Sequence, residues 1–178
     1  MKVKVKICGI RTLDSAQTAV NVGADFLGFN FVIGEKRYIK PGIAKEIIDE
    51  IKESIKIVGV FQNAKTNYVN KIVRLLDLDF VQLHEKRIIK SMKNNITYLL
   101  VDRKIQGKGN IVNQKFARKI ALKQLIFLGG GLTPENIQQS ILKVKPFAVD
   151  VSGGIETNGQ HDSEKIISFI KKAKKINI

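Results

Sequence analysis

The chain has 178 residues, 44% hydrophobic and 26% charged, enough to bury one core, and no linker-like stretch divides it; it reads as a single domain over residues 1–178. No apolar run reaches a bilayer-spanning length, and the amino terminus alternates Lys2, Lys4 and Lys6 with Val3, Val5 and Ile7 instead of carrying a signal peptide's apolar stretch, so a cytoplasmic protein with no membrane partner is expected. A net charge of +15 makes nucleic acid a partner to weigh, but the lysines are dispersed without a nucleic-acid motif and read as a solvated basic surface able to attract an anionic substrate.

The first strand candidate, residues 3–8, ends on Cys8, the only cysteine. A single thiol excludes an internal disulfide or a zinc cluster, and leaves either a small buried hydrophobe or a lone reactive group. Helical periodicity follows in Leu13, Ala16 and Val20, then a strand at 26–31, a helical stripe of Ile43, Ile47 and Ile51, and a strand at 57–61. Val69, Ile72, Val73 and Leu76 mark the next helix, before strands at 80–84, 96–102 and 125–128. Thr133 reads as an N-cap with Pro134 in the first turn, and Ile137, Ile141 and Leu142 as the buried stripe behind it. After a strand at 147–152, His161 is expected to order the start of a last helix from near Ser163, with Ile166, Ile167, Ile170 and Ala173 inward. That helix ends in Lys171, Lys172, Lys174 and Lys175, at the end of the dipole that favours cations.

Short β-branched strands alternating with amphipathic helices specify α/β architecture, either a closed (β/α) barrel or an open doubly wound sheet. The glycines decide between them. A nucleotide-binding doubly wound fold puts its glycine fingerprint after the first strand, whereas Gly129-Gly130-Gly131 and Gly153-Gly154 follow the last two strands, where barrels commonly bind phosphate. The count is short, because barrels typically have about 250 residues. Seven strands are found, and residues 85–113 have room for one confident strand; either an eighth strand lies in an atypical segment or one unit is lost. The expectation is a TIM-type (β/α) barrel with its fifth βα unit missing or reduced, closed by seven strands or with the gap covered.

Six segments, taken together, resemble the phosphoribosylanthranilate isomerase family in sequence and order: Lys6-Ile7-Cys8-Gly9-Ile10, Gly34-Glu35-Lys36-Arg37-Tyr38-Ile39, Val58-Gly59-Val60-Phe61, Val81-Gln82-Leu83-His84, Gly129 to Asn136, and Val149 to Glu156. The likeness spans nearly the whole chain and is poorest between Glu85 and Arg118. It implies the Amadori rearrangement of N-(5-phosphoribosyl)anthranilate in tryptophan biosynthesis, an intramolecular oxidoreductase reaction on a small phosphorylated substrate with no cofactor and no metal, by a monomer or homodimer.

The same resemblance assigns the chemistry. Cys8 ends the first strand in the position of the general base, and Asp102, closing Leu99-Leu100-Val101-Asp102, matches the general acid. Arg37 matches the residue that holds the anthranilate carboxylate, a task suited to a planar guanidinium. Gly130, Gly131, Ser152, Gly153 and Gly154 offer main-chain N–H groups to the phosphate, since glycine lets an anion approach closely. Lys6 shares Cys8's strand parity, so it is either a thiolate stabiliser one layer below or a lysine snorkelling at the barrel floor. Two alternatives remain. One is the histidine-pathway phosphoribosyl isomerase, which resembles a design with aspartate at the first strand where this chain has Cys8. The other is a non-catalytic, basic, nucleic-acid-binding barrel.

Overall fold

The computed structural model describes residues 2–102 and 111–178. Among these, eight strands close into one barrel in chain order. The first half is regular: β1 (Lys4–Cys8), α1 (Leu13–Val22), β2 (Phe26–Asn30), α2 (Pro41–Ile51), β3 (Lys56–Phe61), α3 (Thr66–Leu76) and β4 (Phe80–Leu83). After β5 (Ile88–Ser91) and β6 (Thr97–Val101), the βα rhythm resumes with α4 (Gln114–Ala121), β7 (Ile126–Leu128), α5 (Ile137–Val144), β8 (Ala148–Val151) and α6 (Ser163–Lys174). A small antiparallel hairpin, β9 (Glu156–Thr157) with β10 (Gln160–His161), sits between β8 and α6, and β8 closes the barrel on β1.

The seven strands found in the sequence are corrected to eight, the eighth lying in the atypical segment as the first of the two alternatives has it. The additional one, β5, is antiparallel to both β4 and β6, while the other neighbouring pairs are parallel. What is reduced is the pair of connections around the fifth strand. A parallel return needs a crossover helix, whereas a tight turn reverses direction. One missing helix would point β6 the wrong way; two successive turns restore it. The β4–β5 turn at 84–87 ends on Arg87 in the left-handed region at φ 52°, and Ser91 Oγ accepts from Lys93 N and Asn94 N to shape the second turn. Ile89 and Ser91 are buried, whereas Lys90, on the outward face with no connecting helix above it, is exposed. Residues 103–110 of the irregular sector lie outside the described residues.

Strand alternation sorts the rest. Val5, Ile7, Leu27, Phe29, Ile57 and Val149 join the core shared with the helices. Phe26, Val58, Ile89, Tyr98, Leu100 and Phe127 form a second cluster with Phe80 and Phe147 packed on it, filling the lower barrel. Its rings meet edge to face, with Phe26 5.5 Å from Phe80 and 5.3 Å from Phe127, and Tyr98 stacks on Phe147 at 4.8 Å. Such pairs add about 0.5–1.5 kcal/mol each beyond the area they bury. This hydrocarbon plug forces the polar inward residues of the same strands into the layers above.

Details of the last helices differ from expectation. α5 begins at Ile137 with Asn136 as its N-cap, because Thr133 to Asn136 form a preceding turn in which Asn136 Oδ1 accepts from Thr133 N. Leu142 is 55% exposed, and Ser140 and Val144 complete the buried stripe instead. α6 is capped by Asp162, which accepts from Lys165 N, and not by His161. None of the described helices is long and apolar enough to cross a membrane.

Candidate active site

The carboxyl ends of the strands surround a cavity of about 560 Å³ lined by Lys36, Arg37, Asp102, residues 129–133, residues 150–154 and Glu156. Seven of the eight expected site residues, all except Cys8, thus lie on one wall system. Asp102, just past β6, faces Gly129, just past β7, where a built Cβ would stand 3.5 Å from the Asp102 carboxyl carbon. Cys8 is not in that lining. It ends β1 beside the cavity, largely buried, with its sulfur against Gly28 of the paired strand β2.

The glycines are required by close approach. At Gly154 a built Cβ would fall 1.8 Å from the Leu132 carbonyl oxygen, so the loops after β7 and β8 interlock without room for a side chain. Gly130 and Gly131 have φ of 82° and 75°, a region that favours glycine and turns the chain around the cavity wall.

Arg37 reaches the cavity because Gly9, at φ 88°, leaves space beneath it; a Cβ there would lie 2.6 Å from Arg37 Cδ. Its guanidinium donates from Nε to Glu156 Oε1 at 2.6 Å and from a terminal nitrogen to Oε2 at 2.9 Å. Burial works to raise the Glu156 carboxyl, but the Arg37 contacts and the Lys36 charge outweigh it and hold it below the usual carboxylate range. Glu156, the last residue of the Val149 to Glu156 segment, has no role in the sequence reading; its one signal there is an acidic residue two places after the late glycine pair.

Beneath Cys8, Lys6 is fully buried, which rules out the snorkelling alternative. Its Nζ donates to Gln82 Oε1 and Asp150 Oδ1, each at 2.9 Å. Burial acts to lower this amine, but Asp150 and Cys8 outweigh it and hold it above its ordinary value, so it is an ammonium. For Cys8, burial pushes the thiol up; Lys6 and Arg37 pull it down, and Asp150 adds to the rise. His161, hydrogen-bonded to the Cys8 backbone, has its imidazole lowered by burial against the Glu156 charge, so it is neutral near pH 7. Among the described residues no group of three His, Cys, Asp or Glu side chains could hold a metal ion.

The arrangement supplies a thiol with a cation below it, a carboxyl across the barrel, a carboxylate-held guanidinium and two interlocked glycine loops. The sequence model of N-(5'-phosphoribosyl)anthranilate isomerase matches residues 5–98 and 85–172 in two pieces that overlap at the reduced fifth unit. The chain is 37% identical to the N-(5'-phosphoribosyl)anthranilate isomerase of Citrifermentans bemidjiense over 201 aligned positions, covering 97% of this chain and 98% of that one. The Thermotoga maritima phosphoribosyl anthranilate isomerase structure superposes with a TM-score of 0.85 at 31% identity, covering 98% of this chain and all of that one. A phosphoribosyl anthranilate isomerase solved with reduced 1-(o-carboxyphenylamino)-1-deoxyribulose 5-phosphate gives 0.83 at 31% identity, covering 98% of this chain and 100% of that one. This chain belongs to the N-(5'-phosphoribosyl)anthranilate isomerase family.

Proposed function

We propose that this chain carries out its family's reaction, the Amadori rearrangement of N-(5'-phosphoribosyl)anthranilate, with Asp102 as general acid and Cys8 as general base. Asp102 protonates the furanose ring oxygen, the C1'–O bond breaks, and the anilino nitrogen's lone pair forms an iminium. That positive charge acidifies the C2' proton, which the Cys8 thiolate removes. The electron pair of the C2'–H bond becomes the enolamine double bond, and tautomerisation gives the 1-deoxyribulose ketone. Substrate and product are isomers, so the proposed sequence has no net redox change.

The observation that carries this reading is the placing of Asp102 and Arg37 around one cavity with both glycine loops, while Cys8 ends the strand running beside it. The loops suit the phosphate, through main-chain N–H groups of Gly130, Gly131, Ser152, Gly153 and Gly154. Arg37, braced by Glu156, suits the anthranilate carboxylate. The chain acts as one domain over residues 1–178, in the cytoplasm, as a monomer or homodimer. A coupled assay with freshly prepared phosphoribosylanthranilate tests reaction and substrate together. Turnover on that substrate, with none on the histidine-pathway aminoaldose phosphate, is the expected result.

A further inference from the structure

Lys6 is an unusual residue to find at the centre of a barrel. It has no solvent exposure and donates to partners on two other strands, Gln82 on β4 and Asp150 on β8, and its stem lies beside the Cys8 sulfur across Gly28. An ammonium has three N–H donors and no acceptor, so these two contacts leave one donor for a thiolate at Cys8. The space for this cluster is made by Gly28. A built Cβ there would come 2.8 Å from Cys8 Sγ and 3.2 Å from Lys6 Cε, so the glycine opposite Cys8 lets the thiol and the amine lie side by side.

We propose that Lys6 and Asp150 are an opposed pair of positioning residues for the Cys8 thiolate, the ammonium holding the anion and the carboxylate competing with it for the same ammonium. The inference rests on Cys8 as the base and says what makes it one. A thiolate formed at this partly buried position needs a compensating charge, and Lys6 is the cation lying beside the sulfur. Asp150 has two effects that oppose each other. It keeps Lys6 charged despite burial, and it takes up part of that charge.

The other groups acting on the layer are more distant or differently engaged. Arg37 adds a smaller pull on the thiol from above and is committed to Glu156; Asp102 and His84 act on Asp150 with opposite signs; the neutral His161 ring meets the Cys8 backbone. The pair therefore predicts shifts of opposite sign, which a purely structural role would not produce.

Because Cys8 is the only thiol, its titration can be followed in the intact protein by iodoacetamide alkylation rate against pH and by thiolate absorbance. Lys6→Met should move the midpoint up by about one pH unit or more, a tenfold loss of thiolate at fixed pH on its acid side. The near-isosteric Asp150→Asn should move it down, since the thiolate becomes the only anion on Lys6. Should Lys6→Met fail to fold, Asp150→Asn decides alone. An unmoved or raised midpoint in Asp150→Asn overturns the proposal, as does an unmoved one in folded Lys6→Met. Alkylation reads the thiol whether or not it is the base; full turnover in Cys8→Ala would defeat the mechanism while these titrations still stood.

Discussion

Glu156 grips Arg37 from one edge of its guanidinium, with contacts of 2.6 and 2.9 Å, while a Cβ at Gly153 would sit 3.1 Å from the same group. The carboxylate fixes the plane of the arginine, and a ligand carboxylate would be met by the remaining N–H groups. Arg37→Ala should raise KM by an amount corresponding to about 1.5–3 kcal/mol, the worth of a hydrogen bond to a charged group. Arg37→Lys should recover part of it, having charge without the fork. Glu156→Gln keeps one acceptor, so it should weaken binding less than Arg37→Ala does. Steady-state kinetics in which all three match the parent would remove Arg37 from the site.

The interlocked loops make a sharper prediction. Gly154→Ala puts a methyl group into the Leu132 carbonyl, so the β8 loop must move as a whole and activity should fall severely. Gly153→Asp places a negative charge at the proposed phosphate position and should abolish anion binding with the fold intact. Crystals grown in sulfate should show the anion between Gly130-Gly131 and Ser152-Gly153-Gly154 in the parent and not in Gly153→Asp. An anion seated only on the lysine-rich end of α6 would count against the loops.

The barrel and the glycine sites could be read from the chain because their signals are local and repeated: buried runs separated by helical stripes, then glycines after the last strands. β5 could not. It has four residues, with Ile88 and Ile89 adjacent and Lys90 facing outward where no connecting helix covers it, and its neighbours Glu85, Lys86 and Arg87 read as a loop. Its alternation becomes visible only when Gln82 is seen opposite Ile89 and Phe80 opposite Ser91. Glu156 was missed for a related reason, since nothing in its own stretch of sequence says that Arg37 folds onto it.

If β5 is a true barrel stave, Ile89→Ala should cost about 2–5 kcal/mol, the usual range for emptying a buried isoleucine. Lys90→Ala, on the exposed outer face, should stay within about 0.5 kcal/mol. Urea unfolding measures both, and equal effects would mean that the strand does not fill the interior as described.

Asp79 links this sector to β3: its Oδ2 accepts from Ile57 N at 2.9 Å, and Lys56 and Lys93 flank the other oxygen. Burial acts to raise this carboxyl, but the Ile57 amide and the two lysines outweigh it and hold it below its ordinary value. A carboxyl lowered on folding stabilises the fold above its unfolded value of about 3.9, and that contribution disappears as pH falls through the lower folded value. Asp79→Asn should therefore lose stability near neutral pH and show a shallower dependence below about pH 4. Parallel stability curves for the two proteins would show that Asp79 contributes no pH dependence.

The acid and base give the most demanding test, because they separate chemistry from binding. Cys8→Ala and Asp102→Asn should each slow the chemical step by roughly 10² to 10⁴, the usual share of a positioned proton-transfer group, while the sulfate site and unfolding midpoint stay nearly unchanged. Cys8→Ser should be almost as impaired as Cys8→Ala, since a hydroxyl near neutral pH yields far less anion than a thiol next to Lys6. Burial holds the parent thiol above its ordinary value, so on the acid side of that titration the rate of Cys8 alkylation should rise tenfold per pH unit. Alkylating Cys8 should inactivate the enzyme, and bound substrate should slow that inactivation. Full turnover in Cys8→Ala would discard the base; full turnover in Asp102→Asn alone would move the acid elsewhere and leave Cys8, Lys6 and the glycine loops in their proposed places.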